Sequence, residues 1–537
     1  GGGAEGSLFM LEVPMEEVET MIKGLDLSVL YGDTHGFAYP SRLKHFLRVL
    51  LLAAASYSKS YHRHQHDHVI TQLASTYFHT LRFLMKPEKR SARVVAQYSA
   101  GDMGFVKSFW NLTELSVATK FGAVVGANVE VCRVLTIDGA EPLHVPLTRN
   151  TGEEQDSFVT VRIAPDEDEI AAFCGEGYVA RTEIEARLVS CRAFQGQEGA
   201  DAIGGGKPLL WSKTAAAPSR MLIVHFHGGG FIAQSSASHE LYLRDWARAL
   251  DCPILSVDYD LAPDHPFPVA VQQSFFAFCW ALKNAARLGS TAESVICVGD
   301  SAGANLAAVV ALRALEEGVR GPCGVVMFYP ALFVHPSPSP SRVIAIMDPL
   351  LPLGTLQMVV DAYAGRFLKK YGEDMRRVHE DKGAKVQLSA ALRRRFHHLS
   401  PLLAPDELLK RLPACAVMAS ELDPLLDDSI MFVRRMRKLG REKDVMLKVA
   451  SCLPHGWLNM YFIGDKSALD ASKEGVCWMK QLLANGLAPA HLQPTFVDSS
   501  LSAAPHAGED DVMVQELVIE ALETLSVFEE AHAAGGG

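Results

Sequence analysis

Val295-Ile296-Cys297-Val298-Gly299-Asp300-Ser301-Ala302-Gly303 is the stretch on which the fold turns. Its first four residues form a short apolar run, as a strand buried on both faces does. The next five match G-x-S-x-G, and residues 302–317 beyond them carry a helical pattern. A sharp strand-to-helix turn of this kind pushes a serine hydroxyl clear of a sheet. The glycines leave room for the turn, and the helix N-terminus behind Ser301 favours negative charge. Alone, five residues with two wildcards recur by chance, and the plain alternative is a tight turn. The strand–turn–helix setting favours a nucleophile.

Outward from this turn the same rhythm repeats. Short apolar runs at 221–226, 254–257, 295–298 and 325–329 alternate with helical stretches at 238–250, 269–288 and 302–317. Further strands are expected at 415–419 and 445–449. Strands alternating with helices predict a mostly parallel sheet covered on both faces. Residues 1–125 read as a helical N-terminal domain, with amphipathic stretches at 40–58 and 105–120. Residues 126–205 are a strand-rich connection, with alternation at 129–131, 158–161 and 182–189. The α/β domain is expected in two parts, 206–340 and 399–487, around an insertion at 341–398 that turns basic at Arg393-Arg394-Arg395. Residues 488–537 form an acidic, low-order tail with one amphipathic stretch at 511–528.

His227-Gly228-Gly229-Gly230 follows the 221–226 strand. Cleaving an acyl bond builds an oxyanion, and main-chain N–H groups aimed at it lower the barrier. An HGGG-type loop of this kind is a known oxyanion element of lipases and esterases. The N–H groups of Gly228 and Gly229, with that of Ala302, are the expected donors. A nucleophilic serine also needs a base and an orienting acid. With this motif the acid and then the histidine follow the serine. Asp423 follows the strand at 415–419, and His455 follows the strand at 445–449. Both stand where open α/β sheets place their sites. Asp427 and Asp428 are rivals for the acid, read instead as first-turn carboxylates of the next helix.

These motifs resemble the hormone-sensitive lipase family of α/β-hydrolases. The resemblance rests on the HGGG run, the Gly299–Gly303 elbow, and the stretch from Asp258-Tyr259-Asp260-Leu261-Ala262-Pro263 to Pro268. Asp423-Pro424-Leu425 and His455-Gly456 belong to it as well. Met347-Asp348-Pro349-Leu350-Leu351-Pro352-Leu353, Ser400-Pro401-Leu402-Leu403-Ala404-Pro405-Asp406 and Phe109-Trp110-Asn111-Leu112-Thr113-Glu114-Leu115 are similar to its animal members. The resemblance implies an α/β-hydrolase fold plus a helical N-terminal domain. It implies a Ser301–His455–Asp423 triad working through an acyl-enzyme on neutral lipids: di-, tri- and monoacylglycerols, cholesteryl and retinyl esters. It implies no cofactor and no metal, a homodimer option, and contact with a lipid-droplet surface from the cytoplasm. Two departures stand out. Only the later part of the family's N-terminal domain is expected here, which unsettles dimerisation and a fatty-acid-binding-protein partner. The insertion is short, and its arginine cluster lacks a serine or threonine where a basophilic kinase would act.

Other readings compete. A soluble short-chain carboxylesterase would carry the same motifs. A non-catalytic receptor on this fold, like the plant gibberellin receptors, would lack the histidine that stands here as His455. Composition narrows the field further. Lys and Arg total 51 against 62 Asp and Glu, a net charge of −11, which disfavours nucleic acid as a partner. The ten cysteines form no CxxC pair, which points to a reducing compartment. No basic start followed by an apolar core marks a secretory signal. The chain opens on Gly1-Gly2-Gly3 and closes on Gly535-Gly536-Gly537, which reads as a fragment or an artificial boundary. His62, His64, His66 and His68 alternate and would share one face of a strand, but an exposed polar loop is the plainer reading. Phe231, Tyr259 and Trp457 either line an acyl pocket or fill the core. The apolar stripes at 46–55 and 347–356 either touch lipid or pack inward.

Overall fold

A computed structural model describes residues 41–61, 69–85, 102–114, 126–148, 158–175, 177–197, 215–344, 348, 350–380 and 389–488. The alternating His62–His68 run and the 511–528 stretch lie outside them. Ten strands are described: β1 (Val131–Asp138), β2 (Leu143–Pro146), β3 (Phe158–Val161), β4 (Glu183–Ser190), β5 (Ser219–Phe226), β6 (Ile254–Asp258), β7 (Ser290–Asp300), β8 (Gly324–Phe328), β9 (Ala414–Leu422) and β10 (Val445–Pro454). Eight of them form one sheet in the order β1-β4-β6-β5-β7-β8-β9-β10. From β6 to β10 every neighbouring pair is parallel, and β4 runs antiparallel to β1 and β6 at the other edge. The sheet is therefore mostly parallel, as its apolar runs predict.

The central strands are buried on both faces, which is why their sequences are continuously apolar. Successive side chains of β7 go to opposite cores: Val295 and Cys297 to one, Ile296 and Val298 to the other. In β8, Val325 and Met327 join the first core, and Val326 and Phe328 the second. Each such fully buried side chain contributes roughly 1.5–3 kcal/mol over leaving it in water.

The helices of eight residues or more are α1 (Ser41–Tyr61), α2 (Val69–Leu84), α3 (Met103–Trp110), α4 (Glu240–Leu250), α5 (Val269–Lys283), α6 (Ala302–Glu317), α7 (Leu353–Glu380), α8 (Ala390–Leu399), α9 (Leu426–Lys438) and α10 (Lys466–Leu487). Two predicted boundaries moved for physical reasons. The helix expected over 269–288 stops at Lys283. Asn284 leaves the helical region, and a 3₁₀ turn at Ala285–Leu288 ends on Gly289 with φ 75°. Of the stretch expected at 105–120, residues 115–120 lie outside the described residues; in the rest, Asp102 caps α3 by accepting the Phe105 N–H, and Asn111–Glu114 tightens into a 3₁₀ turn. β7 starts five residues before its apolar run, because Ser290 pairs with Ser219 across a register shift that the polar lead-in hides.

The insertion is mainly α7, whose Tyr363 stacks face to face on Phe231 beside the HGGG loop, ring centroids 3.8 Å apart. α1 and α3 pack together through Tyr57, Phe105 and Phe109. This arrangement puts helical residues from both before and after the strand-rich connection above the carboxyl ends of β5, β7, β9 and β10.

Candidate active site

Ser301 sits between β7 and α6 with φ 54° and ψ −118°, a conformation an L-residue holds only when its surroundings impose it. They impose it by crowding. A Cβ on Gly299 would lie 2.4 Å from the Gly303 carbonyl, and one on Gly303 would lie 1.9 Å from the Phe226 oxygen. The turn can be this tight only with glycine at both positions. Ser301 also donates its own N–H to Phe328 O, fastening the elbow to the end of β8.

Three distant stretches meet at this edge. His455 Nε2 lies 2.9 Å from Ser301 Oγ, and His455 Nδ1 lies 2.9 Å from Asp423 Oδ2. Asp423 Oδ1 accepts the Leu425 N–H at 2.7 Å, which fixes the carboxylate's orientation. Burial alone would push the His455 imidazole down, but Asp423, with Asp348 and Asp300, outweighs it and holds His455 above its ordinary range. The Tyr329 ring meets the imidazole edge-on at 4.9 Å. The rival acids are engaged elsewhere. Both stand in the first turn of α9, where Asp427 accepts the Ser341 N–H and Asp428 pairs with Arg342 and accepts the Phe333 N–H.

The HGGG loop differs from the expectation at one residue. The N–H of Gly228, expected to face an oxyanion, donates to Asp300 Oδ1 at 3.0 Å. Gly228 is thus a tether between the loop and the elbow, and its N–H is unavailable to a substrate. Gly229 and Gly230 instead border the cavity over Ser301, with φ of 96° and 62°. Ala302 is the first residue of α6, so its N–H has no partner within the helix. His227 stacks flat on Tyr259 at 4.3 Å and its Nδ1 donates to Gly228 O. Burial pushes this imidazole down to about 3, so it is a neutral prop for the loop.

Asp300, the second residue of the elbow motif, is the hub behind the site. It accepts the Tyr242 hydroxyl at 3.0 Å, and His239 Nε2 lies 3.5 Å away. Burial drives its carboxyl upward, but His239 and His225 with the Tyr242 hydroxyl outweigh burial and hold it at about 2.

A cavity of about 780 Å³ opens over Ser301 and His455. Phe46, Leu50 and Trp110 come to it from the N-terminal helices, and Leu351, Leu356 and Val359 from the insertion. Both apolar stripes of uncertain role therefore border the cavity. Phe231 borders it too, whereas Tyr259 and Trp457 are buried core residues outside it. Two residues with contacts to the site are not singled out by the sequence. Tyr363 carried no signal. Asp348, which accepts the His455 N–H at 2.8 Å, was visible only as part of a motif. Elsewhere, Glu316, His397 and His398 converge, with each histidine hydrogen-bonded to one Glu316 oxygen and Arg394 3.5 Å from the same carboxylate. That is a hydrogen-bonded carboxylate set against a guanidinium, a poor setting for a cation.

The mostly parallel sheet, the elbow and the order of the residues at its edge define an α/β-hydrolase. A family model described as alpha/beta hydrolase fold matches residues 223–459, and one described as the hormone-sensitive lipase N-terminus matches residues 2–198. The chain is 32% identical to human (Homo sapiens) hormone-sensitive lipase over 83% of its own length and 54% of the human protein's. It is 32% identical to the Ictidomys tridecemlineatus hormone-sensitive lipase and 31% identical to the mouse one. Each match covers 83% of this chain, with 75% and 76% of those relatives. The chain belongs to the hormone-sensitive lipase family of carboxylic ester hydrolases. It spans about half the length of the human relative. Among solved structures, a hyperthermophilic esterase from Pyrobaculum calidifontis matches at a TM-score of 0.47 and 22% identity, over 71% of this chain and 91% of that one. Among the described residues, no helix is long and apolar enough to cross a membrane.

Proposed function

We propose that the chain hydrolyses carboxylic esters of neutral lipids through Ser301, His455 and Asp423. The observation that carries this is the hydrogen-bonded line from Asp423 through His455 to Ser301, 2.9 Å at each link, beneath an apolar cavity. Ser301 Oγ attacks the ester carbonyl carbon while His455 Nε2 takes its proton. The carbonyl oxygen becomes an oxyanion held by the N–H groups of Gly229, Gly230 and Ala302. Collapse breaks the bond to the alcohol, which leaves with the proton from His455. Water then attacks the acyl-enzyme with His455 again as base, releasing the fatty acid and restoring Ser301. Asp423 holds the imidazole in the tautomer with its Nδ1 protonated and stabilises the imidazolium.

Family membership supports acylglycerols, cholesteryl esters and retinyl esters as the substrate class. Cavity size and apolar lining favour this over a short-chain carboxylesterase, which needs neither. A non-catalytic receptor is disfavoured by His455, which stands within hydrogen-bonding reach of the serine. Lipid-droplet contact from the cytoplasm and a homodimer are the partner expectations that go with this reading. Regulation by a cAMP-dependent kinase does not, since Arg393-Arg394-Arg395 has no serine or threonine where a basophilic kinase would act. A chain-length series tests the proposal, comparing emulsified diacylglycerol, cholesteryl ester and a butyrate ester with Ser301→Ala as blank. Retained long-chain turnover supports a lipase, and activity confined to butyrate supports the esterase.

A further inference from the structure

Asp348 belongs to the insertion, far in sequence from both strands that deliver the imidazole and its acid. Its side chain is only 2% exposed. Oδ2 accepts the backbone N–H of His455 at 2.8 Å. Oδ1 accepts the N–H groups of Leu350 at 2.8 Å and Leu351 at 2.7 Å. Leu350 and Leu351 both border the cavity over Ser301. A single buried carboxylate therefore joins the chain at the imidazole to the chain at the acyl wall.

Resting on the hydrolase reading above, we propose that Asp348 is a positioning residue for His455: it fixes the backbone that carries the imidazole and sets a second negative charge beside it. A turn alone would not ask for this residue. Capping Leu350 and Leu351 takes one acceptor oxygen, which an asparagine also supplies. Three N–H donors shared over two oxygens need acceptors on both sides, and only a carboxylate has them. Hydrogen bonds to an ionised acceptor are also roughly twice as strong as neutral ones.

The charge matters as well as the geometry. Burial pushes the Asp348 carboxyl up and the nearby His455 imidazole draws it back, leaving it at about 6, so it is ionised at neutral pH. The groups that face His455 are Asp423 after β9, Asp348 from the insertion, Asp300 and Ser301 at the end of β7, and Tyr329 after β8. Asp423 is the dominant charge, and Asp348 adds to it in the same direction. Both make the imidazolium more stable, which is the state His455 passes through when it takes the serine proton.

The test is Asp348→Asn, followed by kcat/KM against pH on a soluble butyrate ester, thermal unfolding, and fluorophosphonate labelling of Ser301. Asparagine turns an amide N–H toward one of the three donors and removes the charge. With less negative charge beside it, His455 gives up its proton at lower pH and stays a neutral base further into acid. The acid limb should move down by about half a pH unit or more, with kcat lowered about tenfold. A limb that stays in place, whatever happens to kcat, overturns the proposal. Should Asp348→Asn fail to fold, Asp348→Ser keeps a hydroxyl acceptor without charge and is read the same way. Loss of the fold in both variants also overturns it, because Asp348 would then be holding the framework. If the unsubstituted chain takes no label at Ser301, the hydrolase reading falls and this proposal with it. A labelled parent with an unmoved limb in the variant overturns the proposal alone.

Discussion

The N–H of Gly228 donates to the carboxylate of Asp300 at 3.0 Å, fastening the HGGG loop to the residue immediately before Ser301. Loop and elbow come from neighbouring parallel strands, β5 and β7, and this bond holds their ends in a common register. The geometry implies that the glycines next to Gly228 and the hydroxyl of Ser301 are positioned together. Asp300 should therefore matter to catalysis without touching substrate. Asp300→Ala would take the buried carboxylate from the Gly228 N–H and the Tyr242 hydroxyl, leaving Gly228 its 3.3 Å contact to His239 Nε2 and Tyr242 its 3.0 Å contact to His225 Nε2. We expect a loss of about 3–5 kcal/mol in unfolding free energy, the range for a broken buried pair, and a fall in kcat. Asp300→Asn, which keeps one acceptor oxygen, should lose less. Denaturant titration and steady-state kinetics on both variants check the order.

Activity should depend on pH through His455. In the proposed mechanism its neutral form is the base, and Asp423, with Asp348 and Asp300, outweighs burial to hold its pKa above 6.5 in the folded chain. A raised pKa keeps the imidazole protonated to higher pH, so the acid limb of kcat/KM should have its midpoint on the alkaline side of 6.5. Asp423→Asn should move that limb down and cut kcat by about 10⁴-fold, since the amide misorients the ring as well. A flat profile from acid to neutral pH would contradict His455 as base.

The two cavity-facing glycines of the loop should be intolerant of side chains, each for a steric reason. Gly230 has φ 62°, and a Cβ there would meet Val359 Cγ1 at 2.8 Å. Gly229 has φ 96°, and its Cβ would lie 2.1 Å from the Ala233 oxygen. Removing one oxyanion donor typically costs 10²–10³ in kcat. Gly230→Ala, with the milder clash, should fall by about that factor while KM changes little. An unchanged kcat would remove Gly230 from the oxyanion hole.

The helical insertion should set acyl-chain preference. Leu356 borders the cavity from α7, so Leu356→Trp should shrink the space available to a long chain. The expected result is a drop of about tenfold or more in turnover of a long-chain ester with butyrate turnover retained, read from parallel rate measurements. An equal loss on both would mean that the acyl chain lies elsewhere.

The fold was legible because its central strands are buried on both faces and so read as pure apolar runs. Val295, Ile296, Cys297 and Val298 could hardly be anything else between a polar lead-in and a glycine elbow. That Ser301, Asp423 and His455 come together was legible because each follows such a run, at one edge of the sheet. The role of Gly228 was not. Nothing local distinguishes three consecutive glycines, and which N–H faces the substrate depends on an Asp300 carboxylate 72 residues away. Asp348 was hidden for the same reason, because its partner His455 lies 107 residues along the chain. Contacts of that range leave no period or spacing in a single sequence. The polar start of β7 escaped because pairing with β5, and not hydrophobicity, holds it in the sheet.

The most direct measurement is active-site labelling by a fluorophosphonate probe, on the parent chain and on Ser301→Ala, with peptide mapping of the adduct and hydrolysis rates alongside. The expected result is label on Ser301 alone, a variant that melts like the parent yet takes no label, and hydrolysis lower by about 10⁴-fold or more. Label on a different serine, or a Ser301→Ala chain that still turns over ester at the parent's rate, would contradict it.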